Sequence, residues 1–289
     1  MKKNKTSSTN TFIMQNLDGK RIRKYRKNKR LSYPTTVPEN EILKLLDNTR
    51  VKHPKLLKNK FKCFEEEYIE GRVVSSSIDN SLLINMLSNY IFELKNININ
   101  PIKKYIKWKD NTEFFYFQLA SLIKASRKYK YKNKLAQMGL DENLLQPFKN
   151  VRMNDSRNLY IIHGDFCKKN IIEKFGEYYI IGWEYATFGD IAYEIAIHLS
   201  RENYSEQEMK LLIDRICASL ALEPNSLIKD IKSYMDFERI RICFEILNRA
   251  CELQKNKKDI REDLDEAYEY YKYLANAKSK DEIKSIILS

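Results

Sequence analysis

The chain beyond residue 71 is dominated by segments whose apolar positions recur with a helical period. Six such segments place apolar side chains on one face, with a spacing close to 3.6 residues. Asn203, Pro224 and Asn256 lie where breakers or caps would end helices. The segments are SLLINMLSNYIFELKNI, EFFYFQLASLIKASRKY, IAYEIAIHLSREN, EQEMKLLIDRICASLAL, SYMDFERIRICFEILNRACEL and LDEAYEYYKYL. This pattern predicts a large, mainly helical C-terminal part.

The first 70 residues follow a different pattern, which favours strands. Residues 12–15 and 20–25 are predicted to form a hairpin whose turn lies at residues 16–19. A basic loop, RKNKRLSYPTTVP, comes next and is followed by ENEILKLLDNTR, which has helical spacing. The segment KCFEEEYIEG then reads as extended chain that stops at Gly71.

Together the two patterns predict an α+β fold with two lobes. We expect a small strand-rich N-terminal lobe over residues 1–70, with residues 1–9 mobile, and a helical lobe over residues 71–289. Within the helical lobe, residues 158–182 are predicted to form a two-strand insert. Because small-molecule sites commonly form between lobes, we expect the functional site in that cleft.

The composition is that of a globular protein outside the membrane. Hydrophobic residues make up 43% of the 289 residues and aromatic residues 12%, and no run of 18 apolar residues occurs. The N-terminal sequence MKKNKTSSTN is basic but lacks the apolar stretch of a secretory signal. The five cysteines are scattered without a CxxC pair, which is typical of reduced thiols. We therefore expect a cytoplasmic protein.

The net charge of +13 is distributed unevenly along the chain. Residues 1–189 carry a net charge of +17, whereas residues 190–289 carry −4. A basic N-terminal part attracts polyanions, including the phosphates of a nucleotide, and an acidic C-terminal part suits a cationic small molecule. The basic residues do not form a compact stripe with interleaved aromatic residues, so nucleic-acid binding is disfavoured.

The stretch YIIHGDFCKKNII carries the strongest chemical signal. An apolar strand ends at His163, Asp165 follows, and Asn170 lies five residues after this aspartate. Phosphoryl transfer depends on alignment and charge neutralisation more than on covalent help. A carboxylate held on a stiff loop can orient or deprotonate an attacking hydroxyl, and the Asn170 amide oxygen can bind a magnesium ion. Asp165 is thus the candidate catalytic residue and Asn170 a candidate metal ligand.

The segment that follows completes a pattern known from one family. YYIIGWEYATFGDIAYEIA matches apolar-apolar-Asp-Trp-Glu-Tyr-Ala followed by Gly-Asp, except that Gly182 replaces the first Asp. With HGDFCKKNII, this segment resembles the aminoglycoside phosphotransferase/choline kinase family, whose fold is like that of the protein kinases. EEEYIEG is similar to the hinge of the family, NEILKLL to its glutamate-bearing helix, and STNTFIM to the first Thr-Asn strand of bacterial choline kinases. The resemblance spans about residues 7–200.

The resemblance implies ATP and Mg²⁺ as cofactors and assigns roles on the nucleotide side. Arg23 best matches the basic residue that grips the α- and β-phosphates, and Glu41 would pair with it from the helix. Arg21, Arg23 and Tyr25 share one face of the strand by alternation. Glu39 is a rival to Glu41 as the partner, since it lies only two residues away.

On the acceptor side, the resemblance implies supporting residues as well as a catalytic one. His163 would anchor the loop by hydrogen bonds instead of carrying a proton. Asp190 and Glu194 match structural acids beneath the substrate. Cys167 lies between Asp165 and Asn170, but no base adjoins it in sequence, so a nucleophilic role is not expected.

Gly182 departs from the family pattern at the main metal-binding carboxylate. Losing this ligand should weaken magnesium binding, because the ion usually takes one or two carboxylates besides phosphates and waters. Glu184 would face the same side if the strand continued, and is the candidate replacement, acting through water. A glycine in a strand also marks a bulge or a close backbone approach.

These observations leave two main functions open. The first is an ATP-dependent kinase for a hydroxyl of a small cationic acceptor, such as an aminoglycoside, an amino sugar or a choline-like amino alcohol. The second is a pseudokinase that binds nucleotide or a partner without turnover, which Gly182 favours. Nucleic-acid binding by the basic half is a third and weaker hypothesis, and it predicts a steep dependence on salt.

Overall fold

The computed structural model describes most of the chain, with gaps near the N-terminus. The described residues are 3–5, 11–16, 19–25, 37–60, 63–74, 78–274 and 277–289. The predicted basic loop lies mostly outside them, as do residues 17–18 of the predicted hairpin turn. Of the stretch predicted to be mobile, residues 3–5 form a strand and the rest are outside the described part. None of the described helices has the length and apolar character that a membrane span requires.

The N-terminal part is an antiparallel five-stranded sheet flanked by one helix. The strands follow the order β1-β2-β3-β5-β4 across the sheet, and the helix α1 spans Glu39–Leu46. The strands are β1 Lys3–Lys5, β2 Thr11–Asn16, β3 Gly19–Tyr25, β4 Leu56–Asn59 and β5 Cys63–Glu67. The predicted hairpin is confirmed, because β2 and β3 pair from Thr11 and Lys24 to Asn16 and Gly19.

The rest of the described chain is mainly helical, as the periodicity predicted. Its helices are α2 Asn80–Leu94, α3 Asn111–Ser126, α4 Lys132–Gln137, α5 Ile191–Arg201, α6 Glu206–Leu220, α7 Pro224–Lys255, α8 Arg261–Tyr271 and α9 Lys280–Leu288. Side chains of Asp79, Asp110 and Ser205 cap α2, α3 and α6 at their N-termini. The short helices α4 and α9 were not predicted, because each is only about two turns long and shows too little of the helical spacing of apolar residues.

Short strands in the helical part position the two loops that carry the sequence motifs. These strands are β6 Arg72–Val73, β7 Tyr160–Ile162, β8 Ile171–Lys174, β9 Glu177–Ile180 and β10 Thr187–Gly189. They form a β6-β8-β9 sheet and a β7-β10 pair. Residues 158–182 therefore contain three strands instead of the two predicted, and β7 belongs to a different sheet from β8 and β9. The predicted lobe boundary after residue 70 falls between β5 and β6 and remains a prediction.

Aromatic side chains pack against one another beneath these two loops. Trp183 is almost completely buried, and its indole N–H donates to the carbonyl of Ile180 at 2.8 Å. The Tyr90 ring of α2 stacks on Phe166 with centroids 5.3 Å apart and meets Trp183 edge-on at 6.0 Å. Such contacts leave little freedom for the backbone on either side of the two loops.

A buried ion network ties the start of β7 to α5 and α7. Arg157 donates to both carboxylate oxygens of Asp190 at 3.0 and 2.8 Å, and to Asp230 at 2.7 Å. Asp190 also caps α5 through the Ala192 amide, and Asp230 accepts the amide of Asn154 at 2.8 Å. The Arg157 side chain is 2% exposed, so its removal would leave two carboxylates unpaired in the interior.

Helix α5 supports the first motif loop through a second buried acid. Glu194 accepts the backbone N–H of Gly164 at 2.7 Å and the hydroxyl of Tyr90 at 3.3 Å. Burial raises the pKa of Glu194 to about 7 even though these donors act against the rise. Asp190 and Glu194 are therefore structural acids within the helical core, as predicted.

We predict that Arg157→Met lowers the free energy of unfolding by about 3–5 kcal/mol, because two buried carboxylates lose their partner. Urea unfolding followed by circular dichroism would measure this loss. Arg127→Met is the matched control, since Arg127 also makes a two-point contact with a carboxylate, Glu142, but in solvent. Equal losses in the two variants would contradict the prediction.

We predict that Glu194→Gln alters how stability depends on pH. The folded pKa of Glu194 lies above the unfolded value, so its proton stabilises the folded state below about pH 4.5, and this stabilisation is lost as pH rises through about 7. Glutamine does not titrate; its side-chain oxygen can accept the Gly164 N–H, and its NH₂ group can donate to the Tyr90 hydroxyl oxygen. From about pH 5.5 to about 8.5, the wild type should lose on the order of 2 kcal/mol relative to the variant.

Urea unfolding at both pH values would measure that difference, with Glu206→Gln on the exposed side of α6 as the control. A wild type and Glu194→Gln variant that change in parallel with pH would show that Glu194 is not the titrating group.

Candidate active site

His163 links the first motif loop to the second. Its Nε2–H lies 2.8 Å from the carbonyl oxygen of Ile181, and its Nδ1 accepts the Asp165 amide at 3.2 Å. Burial lowers the pKa of His163, so the ring is neutral, with one nitrogen as donor and the other as acceptor. His163 thus acts as a loop anchor, in agreement with the sequence-based interpretation.

Gly164 allows the loop to turn tightly against the second motif. Its φ of +75° is in the left-handed region, and a Cβ would come within 2.6 Å of the Tyr185 carbonyl oxygen. Any side chain there would displace backbone, which is costly. The need for glycine at position 164 and the contact of its amide with Glu194 together determine the position of Asp165.

Asp165 and Asn170, the predicted catalytic and metal-binding residues, are in direct contact. The Asn170 amide nitrogen donates to the Asp165 backbone carbonyl at 2.8 Å and to its Oδ2 at 3.0 Å. The other carboxylate oxygen, Oδ1, lies 3.8 Å from Nε of Arg201, at the C-terminal end of α5. The Asp165 side chain is 27% exposed, so it remains accessible to a bound molecule.

Arg201 is a neighbour of the catalytic candidate that the sequence analysis did not single out. The helical period of α5 gives no indication that its last residue reaches back to the loop after β7. The segment SREN reads as an ordinary polar helix end. Only the packing of α5 beside β7 brings the guanidinium to Asp165.

Cys167 has no catalytic environment, as expected from the sequence. The thiol is buried, and burial raises its pKa to about 11, with Asp165 adding to the rise. A nucleophilic cysteine needs a lowered pKa, so Cys167 is a packing residue of the loop.

Gly182 lies in a left-handed turn and not in a continuing strand. Strand β9 ends at Ile180, Gly182 has φ +81° and ψ 38°, and a single 3₁₀ turn follows at Trp183–Tyr185. The sequence analysis treated Gly182 as part of a strand, which the structure corrects. The alternation that would have turned Glu184 to the same side as residue 182 does not apply, because the strand ends before Gly182.

The space beside Gly182 is occupied by Asn170. A Cβ at position 182 would lie 2.9 Å from Oδ1 and 3.1 Å from Cγ of Asn170. The amide of Ile181 also donates to the Asn170 carbonyl at 2.9 Å. The amide oxygen of Asn170 therefore lies close to the position from which a side chain at 182 would project.

On the side where the nucleotide is expected, Lys24 is the cation that pairs with a carboxylate of helix α1. Its Nζ lies 2.5 Å from Oε1 of Glu39, on α1, and 3.1 Å from Oε1 of Glu66, on β5. A third carboxylate oxygen, Oε2 of Glu184, lies 3.8 Å from the same nitrogen. The Lys24 side chain is 14% exposed, so these contacts are poorly screened by solvent.

The predicted pairing of Arg23 with Glu41 was therefore wrong. Arg23 pairs across the strands with Glu65, its Nε lying 3.0 Å from Oε1. Glu41 contacts Lys44, one turn along α1, at 3.1 Å. Because side chains alternate along a strand, Arg23 faces away from α1 and Lys24 faces toward it. Glu39, the rival named from the sequence, is the actual partner.

The carboxylates around Lys24 perturb one another. Burial, reinforced by Glu66 and Glu184, raises the pKa of Glu39 to about 8 although Lys24 opposes the rise. Burial also raises the pKa of Glu66. The same burial would lower the pKa of Lys24, but the carboxylates outweigh it and raise that pKa well above its usual value. The ammonium is thus firmly charged, among more acids than it can neutralise.

Glu184 joins this cluster to the motif loops. Its side chain is 43% exposed and reaches from the Trp183–Tyr185 turn to Lys24 on β3. The described residues contain no group of three His, Cys, Asp or Glu side chains arranged to hold a metal by themselves. A magnesium ion bound here would therefore need oxygen ligands from a nucleotide and from water as well.

Sequence comparison identifies related proteins. The sequence model of the phosphotransferase enzyme family (APH) matches residues 23–224. A LicA homologue of Mycoplasma capricolum is 26% identical over 167 residues, which are 56% of this chain and 60% of the relative. The chain thus matches less than two thirds of that curated relative.

Solved structures with the same fold include kinases, one of them in complex with AMP-PNP. The choline kinase LicA from Streptococcus pneumoniae has a TM-score of 0.59 and 13% identity, over 99% of this chain and 92% of that one. The amicoumacin kinase hAmiN, in complex with AMP-PNP, Ca²⁺ and Ami, has a TM-score of 0.64 and 12% identity, over 98% and 88%. These likenesses confirm the α+β, protein-kinase-like fold.

The family match begins within β3, includes α1 and both motif loops, and extends over more than two thirds of the chain. The geometry agrees with it, since the His163–Asn170 loop and the Lys24–Glu39 pair are both assembled. The chain therefore belongs to the phosphotransferase enzyme family.

Proposed function

We propose that the chain is an ATP-dependent phosphotransferase that moves the γ-phosphate to a hydroxyl of a small cationic acceptor, such as an aminoglycoside, an amino sugar or a choline-like amino alcohol. The observation that carries the proposal is the Asp165–Asn170 pair, held on a loop that His163 and Glu194 lock in place. Phosphoryl transfer needs reactants aligned to within a fraction of an ångström, and a loop bound at both ends can supply this alignment.

Asp165 would orient the acceptor hydroxyl and accept its proton. One carboxylate oxygen is held by the Asn170 amide, which limits rotation of the side chain. The other oxygen is left to meet the hydroxyl, on the side where Arg201 lies 3.8 Å away. A positioned carboxylate of this kind typically contributes 10²- to 10⁴-fold to a rate.

Lys24 would hold the phosphates of the nucleotide in place of Arg23. It lies on the face of the sheet that meets α1, where Glu39 anchors it. The AMP-PNP bound by the amicoumacin kinase of the same fold supports a nucleotide as its ligand. ATP as the phosphate donor remains part of the proposal.

Asn170 and Glu184 are the residues that would hold a magnesium ion. Asn170 offers Oδ1, because its nitrogen is engaged by Asp165, and Glu184 offers a partly exposed carboxylate. One carboxylate, an amide oxygen and nucleotide phosphates suit the oxygen chemistry of this ion. When bound, the ion neutralises charge on the transferring phosphate. Gly182 contributes no ligand, so the protein's own share of the ligand set is small.

The acceptor is proposed to carry a cationic nitrogen group in addition to its hydroxyl. The LicA of known structure is a choline kinase, and residues 190–289 of this chain carry a net charge of −4. Arg201 limits the orientation, because a cationic group bound beside it would be repelled. The cationic group is therefore expected on the side of the acceptor that points away from α5.

A pseudokinase is the second candidate, and Gly182 is the observation that favours it. A protein that lacks its main metal carboxylate can retain nucleotide binding through Lys24 and still transfer phosphate poorly. The two candidates make opposite predictions for the activity of the unaltered chain and for a variant that restores the carboxylate.

We predict that Asp165→Asn lowers kcat by about 10³-fold while nucleotide affinity stays within about twofold. Asparagine keeps the shape and the contact with Asn170 but is a poor proton acceptor. Transfer of labelled γ-phosphate from ATP to choline, ethanolamine and kanamycin would measure the effect. Asp214→Asn, an exposed position on α6 that is paired with Lys210, is the control. Full activity of Asp165→Asn would overturn the proposed role.

We predict that Gly182→Asp lowers the magnesium concentration needed for half-maximal activity by about tenfold or more, since it adds a carboxylate beside Asn170 Oδ1. Gly182→Ala is the matched control, because it brings the same Cβ contact and the same positive φ without a carboxylate. Alanine should lower stability by about 1 kcal/mol or more and leave the magnesium requirement unimproved.

Magnesium titrations of phosphate transfer would compare the three proteins. Activity that appears only in Gly182→Asp identifies the natural chain as a pseudokinase. Aspartate and alanine variants with the same magnesium dependence would show that position 182 does not face the ion.

A further inference from the structure

Glu66 is a carboxylate on the Lys24 face of the sheet that the proposed reaction does not use. It lies on β5, and its side chain is 4% exposed, with Oε1 3.1 Å from Nζ of Lys24. The strand register explains its direction: Ile22 lies opposite Glu66 and Lys24 opposite Phe64, so Glu66 and Lys24 share one face. The neighbouring Glu65 faces the other way and pairs with Arg23.

The Lys24 ammonium is therefore held by two buried carboxylates instead of one. Glu39 contacts it at 2.5 Å from α1 and Glu66 at 3.1 Å from β5, with Glu184 at 3.8 Å. An ammonium has three protons to donate. Bonds to Glu39 and Glu66 occupy two of them and direct the side chain toward β5 and α1.

A nucleotide phosphate would have to compete with these contacts. The phosphates of ATP need the same ammonium, and they enter a region where acids already outnumber the cation. Each unneutralised carboxylate repels a polyanion, and in a poorly hydrated site this repulsion is weakly screened. Glu39 anchors Lys24 from the helix, whereas Glu66 holds it from the sheet and adds a second carboxylate beside the ammonium.

We propose that Glu66 is a positioning residue that holds Lys24 in the nucleotide-free protein and thereby weakens the binding of nucleotide phosphates. The proposal rests on the proposed function, since it assumes that the phosphates bind at Lys24. Glu66 then determines how strongly the protein discriminates a charged nucleotide from the uncharged nucleoside.

The test compares the affinities of ADP and adenosine for the wild type and for Glu66→Gln, by isothermal titration calorimetry. The measurement is made at about pH 8.5, above the pKa of about 8 to which burial raises Glu39. Glu66→Gln should bind ADP about 3- to 30-fold more tightly, while its affinity for adenosine changes less than about twofold. A merely structural role would move both affinities together.

Glu65→Gln is the matched control, because it removes the same charge one residue away on the opposite face of β5. It should leave the ratio of ADP to adenosine affinity unchanged. An unchanged or weaker affinity for ADP in a folded Glu66→Gln variant overturns the inference. Failure of the wild type to bind either ligand would instead overturn the proposed function.

A second measurement on the wild type keeps the inference testable if Glu66→Gln does not fold. When phosphates draw Lys24 away, Glu66 and Glu39 lose a cation, and a proton should be taken up by the two acids. Calorimetry of ADP binding in two buffers of different ionisation enthalpy would detect this uptake at about pH 8. Binding without proton uptake would contradict displacement of Lys24.

Discussion

The hydrogen bonds between the loop 163–170 and the turn at Ile181 are the constraint on which the rest of the site depends. His163 donates to the Ile181 carbonyl, the Ile181 amide donates to Asn170, and the Asn170 side chain donates to Asp165. With the bond from the Asp165 amide to His163, they form a closed ring of hydrogen bonds that joins Asp165 to Ile181, the residue before Gly182. Because every member is bonded to the next, Asp165 cannot shift without disturbing Asn170 and the second loop.

The glycine at position 182 and the acids around Lys24 together determine the electrostatics of the proposed site. The family pattern places a carboxylate at position 182, where this chain has Gly182, so this position presents no carboxylate to the amide oxygen of Asn170. Glu66 and Glu184 both approach Lys24. A magnesium ion would therefore lack one ligand, and nucleotide phosphates would compete with carboxylates for the Lys24 ammonium.

The residues that support the proposed site are different from the residues that are proposed to take part in its chemistry. Arg157, Asp190 and Glu194 are buried and fully engaged, and they connect β7, α5 and α7. Their desolvation is expensive, so their value lies in specifying one arrangement more than in adding stability. Asp165, Arg201 and Glu184 are partly exposed and sit where these supports end. A rigid base under a few accessible groups is the arrangement that alignment-dependent catalysis requires.

The sequence by itself determined the features that depend on local spacing. The five residues from Asp165 to Asn170, the helical periods of α2, α3 and α5–α8 and the β2–β3 hairpin were all predictable, because neighbours in sequence carry them. Only the tertiary structure decided between Lys24 and Arg23, and between Glu39 and Glu41. Adjacent residues on a strand face opposite sides, and which side meets α1 depends on the pairing of β3 with β5. The left-handed turn at Gly182 and the approach of Arg201 to Asp165 were likewise decided by contacts between distant segments, which no local pattern records.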